Sequence, residues 1–181
     1  MTSDLSDFQT VLIMKAAEGD NDAFKILYDQ LSGKMYSLCL RYASSQNLAD
    51  DLFQEGFIKV FNKLKTFRNE GSFEGWARQI FVNTCLDSFK KKQFYLPDVE
   101  NYFESEGDGN DALQKLSIEQ MMNLIRQMPP GYRTMINLSC IEEFSHKEIS
   151  EMLGITETAS KSKLHKARKY LQTMQKTANF E

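Results

Sequence analysis

The sequence predicts an all-α protein built as two small helical domains joined by an acidic, flexible linker. Three observations predict it. Apolar residues recur at three- and four-residue spacing through most of the 181 residues, and no sustained alternating run of β-branched residues marks a sheet. Proline is confined to Pro97, Pro129 and Pro130, so long stretches are free of helix breakers. The segment 94–111, FYLPDVENYFESEGDGND, loses helical periodicity and gathers a proline, two glycines and many carboxylates. On that pattern the first domain covers 8–93, the linker 94–111 and the second domain 112–178.

In the first domain helices are expected near 8–18, 23–44, 48–64 and 73–92. The first break is Gly19-Asp20-Asn21-Asp22, where an Asp or Asn can cap the next helix. The loop 66–72 separates the third helix from the fourth. In the second domain helices are expected near 112–127, 132–141, 145–153 and 158–175. The 41% hydrophobic and 26% charged residues are values of a folded globular chain rather than a disordered one. No stretch reaches the roughly 18 apolar residues needed to span a bilayer. The first fifteen residues lack the basic-then-apolar order of a secretory signal. The expectation is a cytoplasmic protein with no membrane insertion.

The net charge of −3 is unevenly spread. Residues 1–93 balance twelve basic against twelve acidic side chains, residues 94–120 carry a net −6, and residues 121–181 a net +3. A locally basic C-terminal domain is what a nucleic-acid partner requires, and the overall charge conceals it. Cys39, Cys85 and Cys140 are isolated within helical patterns, with no C-x-x-C and no Cys/His cluster. They are expected to be reduced core thiols, and no metal or other cofactor is implied. His146 and His165 have no nucleophile or carboxylate at a telling spacing, so the chain is not expected to be an enzyme.

The sharpest local signal is SHKEISEMLGITETASKSKLHKARKYL, from Ser145 to Leu171. Ser145 and Glu148 have the S-x-x-E spacing of a capping box. Ile149, Met152 and Leu153 form an inward stripe, and Gly154 suits the left-handed conformation that ends a helix. Thr156 or Thr158 can cap the next helix, whose own stripe is Leu164, Ala167 and Leu171. A capped helix, a glycine turn and a second helix make a helix-turn-helix. The second helix carries Lys161, Lys163, Lys166, Arg168 and Lys169, with no acidic residue between Thr158 and Asn179. Lysines there can meet phosphates, and Ser162 and His165 can meet base edges. The plainer account is a basic helix end that complements the helix dipole.

In the first domain Phe53, Phe57, Val60 and Leu64 form an apolar stripe, with Asp50, Asp51, Gln54 and Glu55 on the polar side. Alone, that polar side is a solvated surface. In the fourth helix Trp76, Asn83, Asp87 and Lys90 or Lys91 share one face. An aromatic ring, an amide and a basic end suit single-stranded nucleic acid; the alternative is a core tryptophan and a solvated lysine terminus.

These stretches, in order, resemble the extracytoplasmic-function (ECF) sigma factors of bacterial RNA polymerase, from about Phe8 to Gln175. The resemblance is carried by Gly19-Asp20-x-x-Ala23-Phe24, by the run from Ala49 to Val60, and by Phe67-Arg68 with Phe73, Trp76, Arg78, Ile80, Asn83 and Asp87. In the second domain it is carried by Met128-Pro129, by Phe144-Ser145-x-x-Glu148-Ile149, and by Lys161-Ser162-x-Leu164-x-Lys166-Ala167-Arg168. The resemblance implies a factor that binds core polymerase and directs promoter-specific initiation. It implies that Asp50, Asp51, Gln54, Glu55 and Ile58 meet the clamp helices of the largest subunit, while the second domain meets the flap. It implies that Arg68, Asn69, Trp76, Asn83, Asp87, Lys90 and Lys91 hold opened −10 DNA, with Asn83 at a base pocket closed by the loop 66–72. It implies that Thr158, Ser160, Lys161, Ser162, Lys163, His165 and Lys166 lie along the −35 duplex, and it makes an anti-sigma factor an expected partner.

The acidic linker then either mimics nucleic-acid charge in the polymerase's RNA path or serves as a plain tether. Thr158 and Ser160 depart from the family, which often has a glycine before the recognition helix and an apolar residue facing the core; Ser160 lies one turn before Leu164, so its hydroxyl can bond back to a carbonyl. The basic positions are mostly lysine, which favours phosphate contacts over bidentate guanine reading. Rival accounts are a stand-alone helix-turn-helix regulator and a helical interaction protein that never meets DNA.

Overall fold

The computed structural model describes residues 2–93 and 117–178, and within them all regular structure is helical. The segment expected to be the linker, 94–111, lies outside the described residues, as does the start of the helix expected from 112. The chain divides into two compact units, Met1–Leu86 and Asp87–Glu181.

The first unit is made of α1 (Thr2–Ala17), α2 (Asn21–Tyr42), α3 (Gln46–Lys63), a short 3-10 turn (Leu64–Thr66) and α4 (Phe73–Gln93), which continues past Leu86. Of the candidate caps between α1 and α2, Asp20 is the one used. Its Oδ1 accepts from the backbone N–H of Asp22 at 2.9 Å and of Ala23 at 3.0 Å. Ser45 caps α3 by accepting from the Leu48 N–H. Each cap satisfies N–H groups that no helical carbonyl can reach.

The inward faces then close on one another. Leu27, Leu31, Met35 and Leu38 of α2, Leu52, Phe57 and Val60 of α3, and Ala77, Phe81, Val82 and Leu86 of α4 are buried. Burying one such aliphatic or aromatic side chain is worth about 1.5–3 kcal/mol, so these faces hold the unit together. At its centre the Phe57 ring lies 5.0 Å from Phe53, 5.2 Å from Phe81 and 4.5 Å from Tyr28, mostly edge-on or tilted. Gly56 sits under the Phe81 ring, where any side chain would collide. The apolar stripe is as the sequence predicts, running from Phe53 at its half-buried margin through Phe57 and Val60 of α3 to Leu64 in the 3-10 turn.

The second unit holds α5 (Ile118–Gln127), α6 (Pro130–Ile136), a π-helical turn (Asn137–Ile141), α7 (His146–Leu153) and α8 (Glu157–Ala178). Ser117 and Gln120 form a capping box on α5, and Pro130 occupies the first turn of α6, where its missing N–H costs nothing. Arg133 is buried and donates from Nη1 to the Arg126 carbonyl at 2.8 Å, serving a carbonyl at the open end of α5.

The single helix expected over 132–141 changes character instead. From Asn137 the turn widens, with the Glu142 N–H reaching the Asn137 carbonyl at 2.8 Å. Cys140 lies within that turn, whose phase differs from that of an α-helix. This corrects one expectation: Cys39 and Cys85 are buried, but Cys140 is exposed, with Arg168 Nη2 3.6 Å from its Sγ. Glu143, just beyond the turn, adopts φ +60°.

Candidate functional site

Three surfaces carry the residues singled out in the sequence. The first is the outer face of α3. Asp51, Gln54 and Glu55 are exposed, and Ile58, one turn beyond Gln54, is 61% exposed despite being aliphatic. Glu55 pairs with Lys59 at 2.8 Å across one turn, an exposed i,i+4 pair worth at most about 0.5 kcal/mol and readily exchanged. Asp50 is differently placed. It is half-buried and accepts from the Tyr36 hydroxyl of α2 at 2.7 Å, while Gln46 Nε2 donates to that same hydroxyl. The bond to Asp50 is the main reason Tyr36 titrates above the ordinary tyrosine value, with desolvation adding to it. An apolar side chain ringed by an amide and carboxylates, on a rigid helix, is a surface suited to a protein partner.

The second surface joins the loop 67–72 to α4. Trp76 is half-buried, its ring stacked on Phe73 at 5.7 Å and tilted against Phe67 at 5.3 Å. Trp76 is thus neither fully buried in the core nor fully exposed: it packs on two aromatic rings and keeps part of its surface accessible. Asn83 and Asp87 are exposed further along α4. The backbone of Lys90 and Lys91 continues α4, and their side chains lie outside the described residues. Arg68 is exposed, and Asn69 is held in the left-handed region at φ +58°. Its Nδ2 donates to Thr10 Oγ1 of α1 at 3.1 Å. Lys34 of α2 also pairs with Glu74 of α4 at 2.6 Å. Neither tie is visible in the sequence, because the partners lie 59 and 40 residues apart.

The third surface is α8, presented by α7. The capping box forms: Ser145 Oγ accepts from the Glu148 N–H, and Glu148 Oε2 accepts from the Ser145 N–H at 2.8 Å and from its hydroxyl at 2.7 Å. Those bonds hold the Glu148 carboxyl below the usual glutamate range. Gly154 takes φ +67°, ψ 36°, and its N–H reaches the Ser150 carbonyl, ending α7. Thr156 rather than Thr158 caps α8, accepting from the Ala159 N–H at 3.1 Å. Ile149, Leu164 and Ala167 are buried between the helices. Thr158, Lys161, Ser162, Lys163, His165 and Lys166 are exposed, so α8 shows one basic, hydroxyl-bearing face.

Ser160 is the exception, and its expected place along a DNA duplex is corrected. It is 0% exposed, because it lies one turn before Leu164 on the inward stripe. Its hydroxyl does not settle on a carbonyl of its own helix; it lies 2.9 Å from Nδ1 of His146 at the start of α7. Nothing in the sequence gives His146 a role beyond its position in the capped turn.

Among the described residues no three His, Cys, Asp or Glu side chains gather as a metal site would require, and no helix is long and apolar enough to cross a membrane.

Known proteins match this chain in the same order along its length. The family model for Sigma-70 region 2 matches residues 27–95, and that for Sigma-70 region 4 matches residues 118–171. The chain is 32% identical to the ECF RNA polymerase sigma factor SigW of Bacillus subtilis, over 88% of this chain and 92% of that protein. It is 25% identical to the ECF RNA polymerase sigma-E factor of Haemophilus influenzae, over 95% and 96%. Two solved structures share the fold. The sigma factor RpoE from Bartonella quintana, solved with the anti-sigma factor NepR, superposes with TM-score 0.55 at 21% identity, covering 84% of this chain and 96% of that one. CnrH, solved with the cytosolic domain of CnrY, gives TM-score 0.52 at 18% identity, covering 92% and 96%.

Proposed function

The chain belongs to the ECF RNA polymerase sigma factors, proteins that direct polymerase to promoters, and on that premise we propose how the work is divided among its surfaces. The outer face of α3, with Asp51, Gln54, Glu55 and Ile58, docks on the clamp helices of core polymerase. Asp50 supports that face through Tyr36 more than it contributes a free carboxylate.

The loop 67–72 and α4 receive the −10 element as single-stranded DNA. The accessible part of Trp76 offers a stacking surface, Asn83 reads an extruded base, and Arg68 and the lysines at the end of α4 meet phosphates. Unstacking one base costs a few kcal/mol, and a prepared pocket offsets part of that cost without nucleotide hydrolysis. In the second domain, 112–178, the flap of polymerase holds the unit while α8 enters the −35 major groove. Lys161, Lys163 and Lys166 contact phosphates there, and Ser162 and His165 contact base edges. The acidic segment 94–111 links the two domains, the protein acts in the cytoplasm, and an anti-sigma factor restrains it.

The observation that carries this reading is the pairing, in one chain, of an exposed Ile58 among carboxylates on α3 with an uninterrupted basic face on α8. A stand-alone regulator needs only the second. The deciding experiment is co-elution of the protein with bacterial core polymerase, compared with an Asp51/Gln54/Glu55 triple-alanine variant. Binding that the variant loses supports the proposal. A folded wild type that retains duplex DNA but never binds core polymerase makes the stand-alone regulator the better account. In the reconstituted holoenzyme Asn83→Ala should block promoter opening and leave duplex binding unchanged.

A further inference from the structure

The α7–α8 pair contains a polar contact that helix packing alone does not call for. Ser160 is the fourth residue of α8 and completely buried, on a stripe otherwise filled by Leu164 and Ala167. A helical serine has a local partner available, the carbonyl four residues back. Here that is the Thr156 carbonyl, which already accepts the Ser160 N–H at 2.9 Å. The hydroxyl instead lies 2.9 Å from Nδ1 of His146, the first residue of α7.

The position of that bond gives it leverage. The two helices are joined covalently at the Gly154 turn and packed through Ile149, Leu164 and Ala167, apolar contacts that hold α8 in place but are not directional. His146 stands at the far end of α7, about 12 Å along its axis from the turn at 1.5 Å per residue. Fastening the first turn of α8 to that far end supplies a second fixed point, which sets the crossing angle. Lys161 and Ser162 directly follow the fastened residue and are exposed. Base-edge hydrogen bonds tolerate only a few tenths of an ångström, whereas flexible lysines reach phosphates over a range of poses. A change in angle would therefore affect sequence reading before it affects affinity.

We propose that His146 and Ser160 are positioning residues for −35 recognition: without touching DNA, their hydrogen bond sets the pose of α8 and hence its base preference. This rests on the reading of α8 as the −35 helix. The test uses the full-length protein bound to core polymerase, and a duplex enriched by wild type from a randomised library, compared with a scrambled duplex. Ser160→Ala and His146→Leu should keep wild-type helicity and affinity for the scrambled duplex, and should lose about tenfold in preference for the enriched one, the scale of one mismatched base pair. His146→Asn, whose amide can stand where Nδ1 stands, should restore most of the preference. The Ser160→Ala/His146→Leu double variant should lose no more than either single variant.

Retention of the wild-type preference by both single variants would overturn the inference and leave the −35 reading intact. So would unfolding of Ser160→Ala, since the hydroxyl would then serve stability rather than pose. If the wild type enriches no duplex at all, the −35 reading and the inference fall together.

Discussion

Gly56 of α3 lies beneath the Phe81 ring of α4, close enough that a Cβ on Gly56 would overlap Cε1, Cδ1 and Cζ of that ring. Both residues are buried, and Phe81 also packs against Phe57, so the ring has little room to retreat. In an open helix Gly→Ala is stabilising, by roughly 0.5–1 kcal/mol. Here the overlap reverses the sign. Gly56→Ala should destabilise the first unit by about 1–3 kcal/mol, the usual cost of overpacking, read as a lower urea midpoint. Pairing it with Phe81→Leu should recover part of the loss. An unchanged or higher midpoint for Gly56→Ala would mean that the two helices are not in this register.

The capping box of α7 ties stability to pH. Glu148 is ionised more readily in the folded protein than the ordinary value of 4.5, because it accepts two hydrogen bonds from Ser145. A depressed folded-state pKa gives stability that is present in full above the unfolded value and lost as pH falls through the folded one. Wild type should therefore exceed Glu148→Gln in stability at pH 7, and the gap should close as pH falls below 4.5. Denaturant titrations of both proteins at several pH values measure it. A gap that stays constant down to pH 2 would contradict the ionised box.

Glu143 holds φ +60° shortly before the turn into α7, with no glycine to ease it. A non-glycine residue in that region is strained by roughly 1–2 kcal/mol, and glycine itself gives back part of the gain through its freer unfolded state. Glu143→Gly should stabilise the second unit by roughly 0.5–1 kcal/mol, and Glu143→Val should destabilise it. Both are measured as shifts in the thermal midpoint.

Much of this architecture is legible because helix ends are decided by local chemistry. Asp20, Ser145 with Glu148, and Gly154 act on backbone groups within a few residues, so the sequence alone marks where α2 and α7 begin and where α7 stops. The α3 stripe is legible for the same reason, since period and face are local properties. The features that escape are decided by distant partners. The place of Ser160 one turn before Leu164 is legible, but its partner is not: the hydroxyl reads as bonding back to a carbonyl of its own helix, and His146 meets it from fourteen residues away. Asp50 reads as one more carboxylate of a polar face until Tyr36 of α2 donates to it. Cys140 is exposed within a widened turn, and nothing in the run from Asn137 to Ile141 announces that turn.

Trp76 is the only tryptophan in the chain, half-buried, stacked on Phe73 and tilted against Phe67. The protein therefore carries its own optical probe on the surface proposed for the opened −10 strand. Excited at the red edge, where tyrosine does not absorb, all emission comes from that one indole. A nucleobase settling on it would quench the signal, and repacking of Phe67 would shift its colour. One unlabelled protein can therefore report strand capture on α4 in real time.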